Sequence, residues 1–129
     1  MTTQAQSTAQ TQFSVQRIIL HLEGLTVFLS SIALYWHLGA NLWLFLLLFF
    51  SPDLAIVVYA MNKSLGTKAY NLVHTYTLSI ALGVISLLLG WQLGMTLALI
   101  WTAHIGFDRT LGYGIKYESD FKDTHLQRI

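Results

Sequence analysis

Long apolar runs separated by short polar breaks dominate this chain. Residues 17–37, 41–62, 68–90 and 91–110 are each close to the ~20 residues that an α-helix needs to cross a bilayer. A soluble bundle of the same helices would carry a polar stripe along each one, and the run NLWLFLLLFF at 41–50 has none. The pattern therefore predicts an all-α polytopic membrane protein of four transmembrane helices in an antiparallel bundle. Residues 17–112 form the transmembrane domain in this reading. Residues 1–16, polar and without apolar periodicity, are expected as a disordered tail rather than a signal peptide, which would start basic and carry a short apolar core. Residues 113–129 are expected as a cytoplasmic segment that caps the bundle.

The polar residues that interrupt the apolar runs are the informative ones, because ionisable groups in lipid are costly and mark functional sites. Glu23 lies six residues past Arg17, about 9 Å below the membrane edge at 1.5 Å per residue. Asp53 follows Pro52, whose ring frees a backbone carbonyl and bends the second segment. Counted back from Asn62 it lies about 13 Å deep. His74 lies about 9 Å deep in the third segment, on one face with Asn71, Thr75 and Leu78. His104 is about 7.5 Å deep in the fourth, with Asp108 one turn below it on the same face and Arg109 next to it. Gly112 and Gly114 end that helix. Acids and imidazoles on four separate segments thus fall at a common depth. Thr26, Val27 and Ser30, and further on Ser79, Gly83 and Ser86, are small or hydroxyl-bearing positions suited to close helix packing.

Composition supports the membrane reading, with 54% hydrophobic and 10% charged residues and a mean hydropathy of +0.55. Charge placement adds orientation. Arg17 precedes the first segment, Lys63 and Lys68 lie between the second and third, and Arg109, Lys116, Lys122 and Arg128 follow the fourth. The loops HLGAN and LGWQLG carry no Lys or Arg and lie near Trp36, Trp43 and Trp91, an aromatic belt of the outer side. By the positive-inside rule both termini face the cytoplasm of an inner, plasma membrane. The chain has no cysteine, so disulfides and thiolate–metal chemistry are excluded. Its scattered basic residues give no footprint for nucleic acid.

The motifs LEG (22–24), SPDL (51–54), YNLVHTY (70–76), AHIGFDRTLGYGIKY (103–117) and FKDTHLQRI (121–129) resemble the bacterial domain-of-unknown-function family 4260. The resemblance covers nearly all of the chain after Arg17. It implies a small integral membrane protein of four helices and supplies no activity. Its motifs contain Glu23, Asp53, His74, His104 and Asp108 and the FKDTH tail, while His21 and His37 fall outside them.

Several functions remain open on these residues. The first is a membrane-embedded metal site that is also open to catalysis, with Asp53, His74, His104 and Asp108 as ligands of a divalent ion. A set of carboxylates and imidazoles without thiolate suits Zn, Mn or Fe. Glu23 or Asp53 would then be the catalytic acid or base on a small molecule or lipid, and Asn71, Arg109, Lys122, Asp123 and His125 would surround the site. The second is a small proton-coupled transporter or ion pathway. The third is a non-catalytic subunit packing with a partner, and self-association into a homo-oligomer is open in every case. Haem held by His74 and His104 is disfavoured, since it would leave the acids unexplained.

Overall fold

Asparagine and glycine set the helix ends. Asn41 accepts hydrogen bonds from the Trp43 and Leu44 amides, and Asn62 accepts one from Leu65 at 3.0 Å, so each caps a helix N-terminus. Gly90 and Gly112 close helix C-termini at φ of 66° and 96°, a left-handed conformation that disfavours a side chain. The computed structural model describes residues 2–113, with side chains from residue 15 onward. Its elements are α1 (Thr2–His37), α2 (Leu42–Leu48), a 3-10 turn (Ser51–Leu54), α3 (Ala55–Met61), α4 (Lys63–Val73), α5 (Tyr76–Leu89) and α6 (Gln92–Leu111). No strand occurs among the described residues. α1 starts at Thr2 where an unstructured tail was expected over 1–16. That stretch holds neither Gly nor Pro, so nothing in it stops the helix from continuing backward.

The second and third apolar segments are not single helices. The second breaks at the 3-10 turn containing Pro52, as the sequence predicts, and Asp53 sits in the break. The third breaks without proline or glycine. His74 leaves the helical region at φ −106° and ψ 16°, Thr75 is extended, and α4 and α5 meet at a bend of 43°. The expected shared face of Asn71, His74, Thr75 and Leu78 is therefore interrupted. Two stretches are long and apolar enough to cross a membrane, Val15–His37 and Leu42–Met61, and α4 with α5 makes a third if the bent pair is one span.

α6 is not among these spans, although it is the centre of the molecule. α1 and α5 both pack on it, and Ala103, His104 and Ile105 are fully buried along its length. Its polar side chains face protein rather than lipid, which lowers its hydropathy without exposing charge. α3 and α4 form a second packed pair that has few contacts with these three helices. The outer surface is apolar, with Leu47 and Leu88 nearly four-fifths exposed, which suits contact with lipid.

Backbones approach closely where α1 crosses α6. A Cβ on Gly106 would lie 2.8 Å from the Gly24 carbonyl oxygen and 2.8 Å from the Phe28 amide nitrogen. The His21 Nδ1–H reaches the Thr110 carbonyl at 2.7 Å and satisfies one of the free acceptors at the end of α6. α5 meets α6 more loosely, since a Cβ on Gly83 would be 3.5 Å from the Ala98 Cβ. Gly106→Ala is expected to cost about 1–3 kcal/mol through forced separation of α1 and α6. Gly83→Ala should leave stability within about 0.5 kcal/mol of wild type. Unfolding followed by circular dichroism in detergent distinguishes them, and equal melting temperatures would disprove the close crossing.

Candidate metal centre

Both helix breaks deliver their side chains to one face of α6. His104 and Asp108, one turn apart on α6, meet Asp53 from the 3-10 turn and His74 from the α4–α5 bend. His74 Nε2 is 3.1 Å from Asp53 Oδ1, 3.3 Å from Asp108 Oδ2 and 3.2 Å from His104 Nε2. His104 Nε2 is 3.2 Å from Asp53 Oδ1 and 3.1 Å from Asp108 Oδ2. All four atoms lie within 4.8 Å of one another. His104 is fully buried and His74 nearly so, while the Asp53 side chain is 33% exposed and opens the group on one side.

Hydrogen bonding fixes which atoms face inward. His74 Nδ1 lies 2.9 Å from the Tyr70 carbonyl, which can only accept, so Nδ1 carries the proton and the neutral ring presents the Nε2 lone pair to the cluster. The Tyr70 ring stacks on His74 at 3.7 Å and holds its plane. Were both imidazoles doubly protonated, two N–H groups would face each other at 3.2 Å. Asp108 Oδ2 is buried and accepts no hydrogen bond, although two imidazole nitrogens stand within 3.3 Å of it. Asp53 Oδ1 lies within hydrogen-bond reach of both Nε2 atoms, whereas the Asp108 Oδ2 lone pairs are met by no aligned donor, and a cation at the centre of the group would satisfy them. A dication would also balance the two carboxylates.

α6 does more than supply two ligands. The bend at residues 73–75 frees backbone carbonyls, and α6 side chains satisfy them. The Trp101 Nε1–H donates to the Val73 carbonyl at 2.6 Å and the Arg109 Nη2–H donates to the His74 carbonyl at 3.3 Å. Arg109 also lies over the Tyr76 ring at 5.4 Å. Lipid offers no alternative partner for such carbonyls, so these bonds hold the bend that aims His74. His104 lacks equivalent support. Its Nδ1 is buried without a hydrogen-bond partner, and its ring rests edge-on against Phe49 at 5.4 Å.

The structure thus unites Asp53, His74, His104 and Asp108, and it places Arg109 directly behind them. Glu23 does not join them. The neighbouring Gly24 is the residue that faces α6, and a step of one residue turns Glu23 about 100° around α1 to an exposed position. Asn71 is half-buried on α4 and outside the ligand set. Lys122, Asp123 and His125, and with them the expected cap at 114–129, lie outside the described residues. Tyr70 and Trp101 were missed by sequence reasoning. Trp101 is three residues before His104 and shares its helix face, a spacing that could have signalled it.

Trp101→Phe removes one of the two bonds that hold the bend and should weaken divalent-metal affinity about 10- to 100-fold, as loss of supporting partners does elsewhere. Helix content should stay unchanged. Competitive titration against a chelating dye measures it, and wild-type affinity would show that the Val73 bond does not orient His74.

No curated protein and no solved structure matches the chain. What does match is a family model, and its boundaries follow the architecture described above: it starts at Arg17, where the first apolar segment opens, and takes in every residue of the four-residue cluster. Over residues 17–129 the chain matches the domain of unknown function DUF4260, and the protein belongs to that family.

Proposed function

We propose that the protein is an integral membrane metalloprotein in which Asp53, His74, His104 and Asp108 bind one divalent cation of the Zn²⁺, Mn²⁺ or Fe²⁺ class, which carboxylate and imidazole ligands suit. One observation carries this reading. Five of the six separations within the ligand set are 3.1–3.3 Å. A tetrahedral ion with bonds of about 2.0–2.1 Å sets its ligands about 3.3–3.4 Å apart. Octahedral Mn²⁺ or Fe²⁺ would bring neighbouring ligands to about 3.0 Å and set one opposite pair beyond 4 Å, which the Asp53–Asp108 separation, within 4.8 Å, also accommodates.

The chemistry most compatible with the site is metal-assisted hydrolysis of a lipid or small molecule at the membrane face. A bound metal of this kind supplies Lewis acidity and an activated water. Asp53, the most exposed of the four, is the ligand able to swing aside and take up a proton. His74, His104 and Asp108 stay fixed by burial. The general-base role expected of Glu23 falls to Asp53, because Glu23 is turned away from the group. The four-span topology and the cytoplasmic placement of both termini rest on the charge pattern, and α6 serves as the fourth crossing because its polar groups are sheltered.

A second reading takes the metal as cargo. Ligands presented from two broken helices are a feature of transporters, whose ion sites lie at such breaks. Elemental analysis of purified protein by mass spectrometry tests the first reading. Metal in stoichiometric amount with the chain is expected, surviving dialysis and lost in His104→Ala while the variant keeps its helix content. Folded wild-type protein that neither contains nor takes up Zn²⁺, Mn²⁺ or Fe²⁺ would end the proposal. Metal that is retained only weakly and moves across liposome membranes would favour the cargo reading.

A further inference from the structure

α1 and α5 both pack on α6 but barely touch each other, which leaves a trough between them. Its deeper part, a cavity of about 380 Å³, is walled by Ser30 and Leu34 of α1 and by Ile80 and Leu87 of α5, over a floor that includes Ala98 of α6. A second cavity of about 480 Å³ adjoins it, walled by Ile19, Leu22, Glu23 and Tyr76. The two share Thr26 and Val27. They therefore adjoin along α1, over about 16 Å from Glu23 to Leu34 at 1.5 Å per residue.

The walls are apolar or hydroxyl-bearing except at one point. Glu23 is the single carboxylate on either cavity, and among the described residues it makes neither a hydrogen bond nor an ion pair. Beside the exposed Glu23, the buried Tyr76 hydroxyl has no hydrogen-bond partner at that end. Arg109, the nearest cation to Tyr76, is engaged with the His74 carbonyl on the side of the metal cluster. An apolar trough alone would accept any hydrocarbon. A carboxylate left without a counterion below the headgroups is costly, and it selects what lies there by charge.

We propose that this trough binds a single-chain amphiphile with a cationic head, an alkylammonium, whose nitrogen sits on Glu23 and whose tail lies along α1 toward Leu34. The two adjoining apolar cavities lie in line along α1, which suits a single tail, and the charge of Glu23 disfavours anionic heads. The site is separate from the metal ligands, so it stands whether or not a metal binds.

The test uses the full chain in phosphatidylcholine nanodiscs, titrated calorimetrically with dodecyltrimethylammonium against empty discs. Saturable binding to wild type is expected, at least tenfold weaker in Glu23→Gln, which removes the counter-charge. The same loss is expected in Ser30→Phe, which fills the trough from an exposed position and leaves Glu23 intact. Dodecyl sulfate and the short-tailed butyltrimethylammonium should not bind. Unaltered helix content in both variants assigns the loss to the trough. Wild-type binding by Glu23→Gln, equal binding of dodecyl sulfate, or no saturable heat above empty discs would each overturn the proposal.

Discussion

Polar groups carried below the lipid headgroups must find their partners inside the protein, because hydrocarbon offers none. That constraint explains the arrangement around α6. Two apolar segments give up regular helix, one at Pro52 and one at His74; each break delivers a side chain to the cluster, and the second also releases the Val73 and His74 carbonyls. The α6 face that carries His104 and Asp108 also carries Trp101 and Arg109, which occupy the carbonyls of the second break. Assembly of the Asp/His cluster and satisfaction of the backbone are therefore parts of one arrangement, and neither is complete without α6.

The same constraint explains why a long helix that is too polar to count as a span by itself is the most buried. Hydropathy measures what a helix would show to lipid if it stood alone, and α6 does not stand alone. α1 covers it through the Gly24–Gly106 crossing and α5 through the small side chains of Ser79 and Ser86, which are almost wholly buried. The apolar exteriors of α1 and α5 do the facing outward, and α6 is left free to carry chemistry.

Much of this was legible in the sequence, for identifiable reasons. An acid or imidazole in an apolar run stands out, so Asp53, His74, His104 and Asp108 could be named from position alone. Proline announced the first break. The second was hidden, since it contains neither Pro nor Gly and arises from tertiary bonds to Trp101 and Arg109 on a helix that follows 28 and 35 residues later. Glu23 was misjudged for a related reason. Depth can be counted along a helix, but the direction in which a side chain points is set by which neighbour packs, and here the packing residue is Gly24. The helical start at Thr2 was likewise hidden, because polar composition reads as disorder whether or not a following helix extends into it.

The division of the molecule into an α3–α4 pair and an α1–α5–α6 group has a consequence for biogenesis. Asp53 and His74 leave the ribosome ahead of the helix that completes their site. Until that final described helix is made, both lack His104 and Asp108, the partners that α6 brings. Synthesis of α6 is thus the step that completes the cluster, and a product truncated before it would carry Asp53 and His74 without His104 and Asp108.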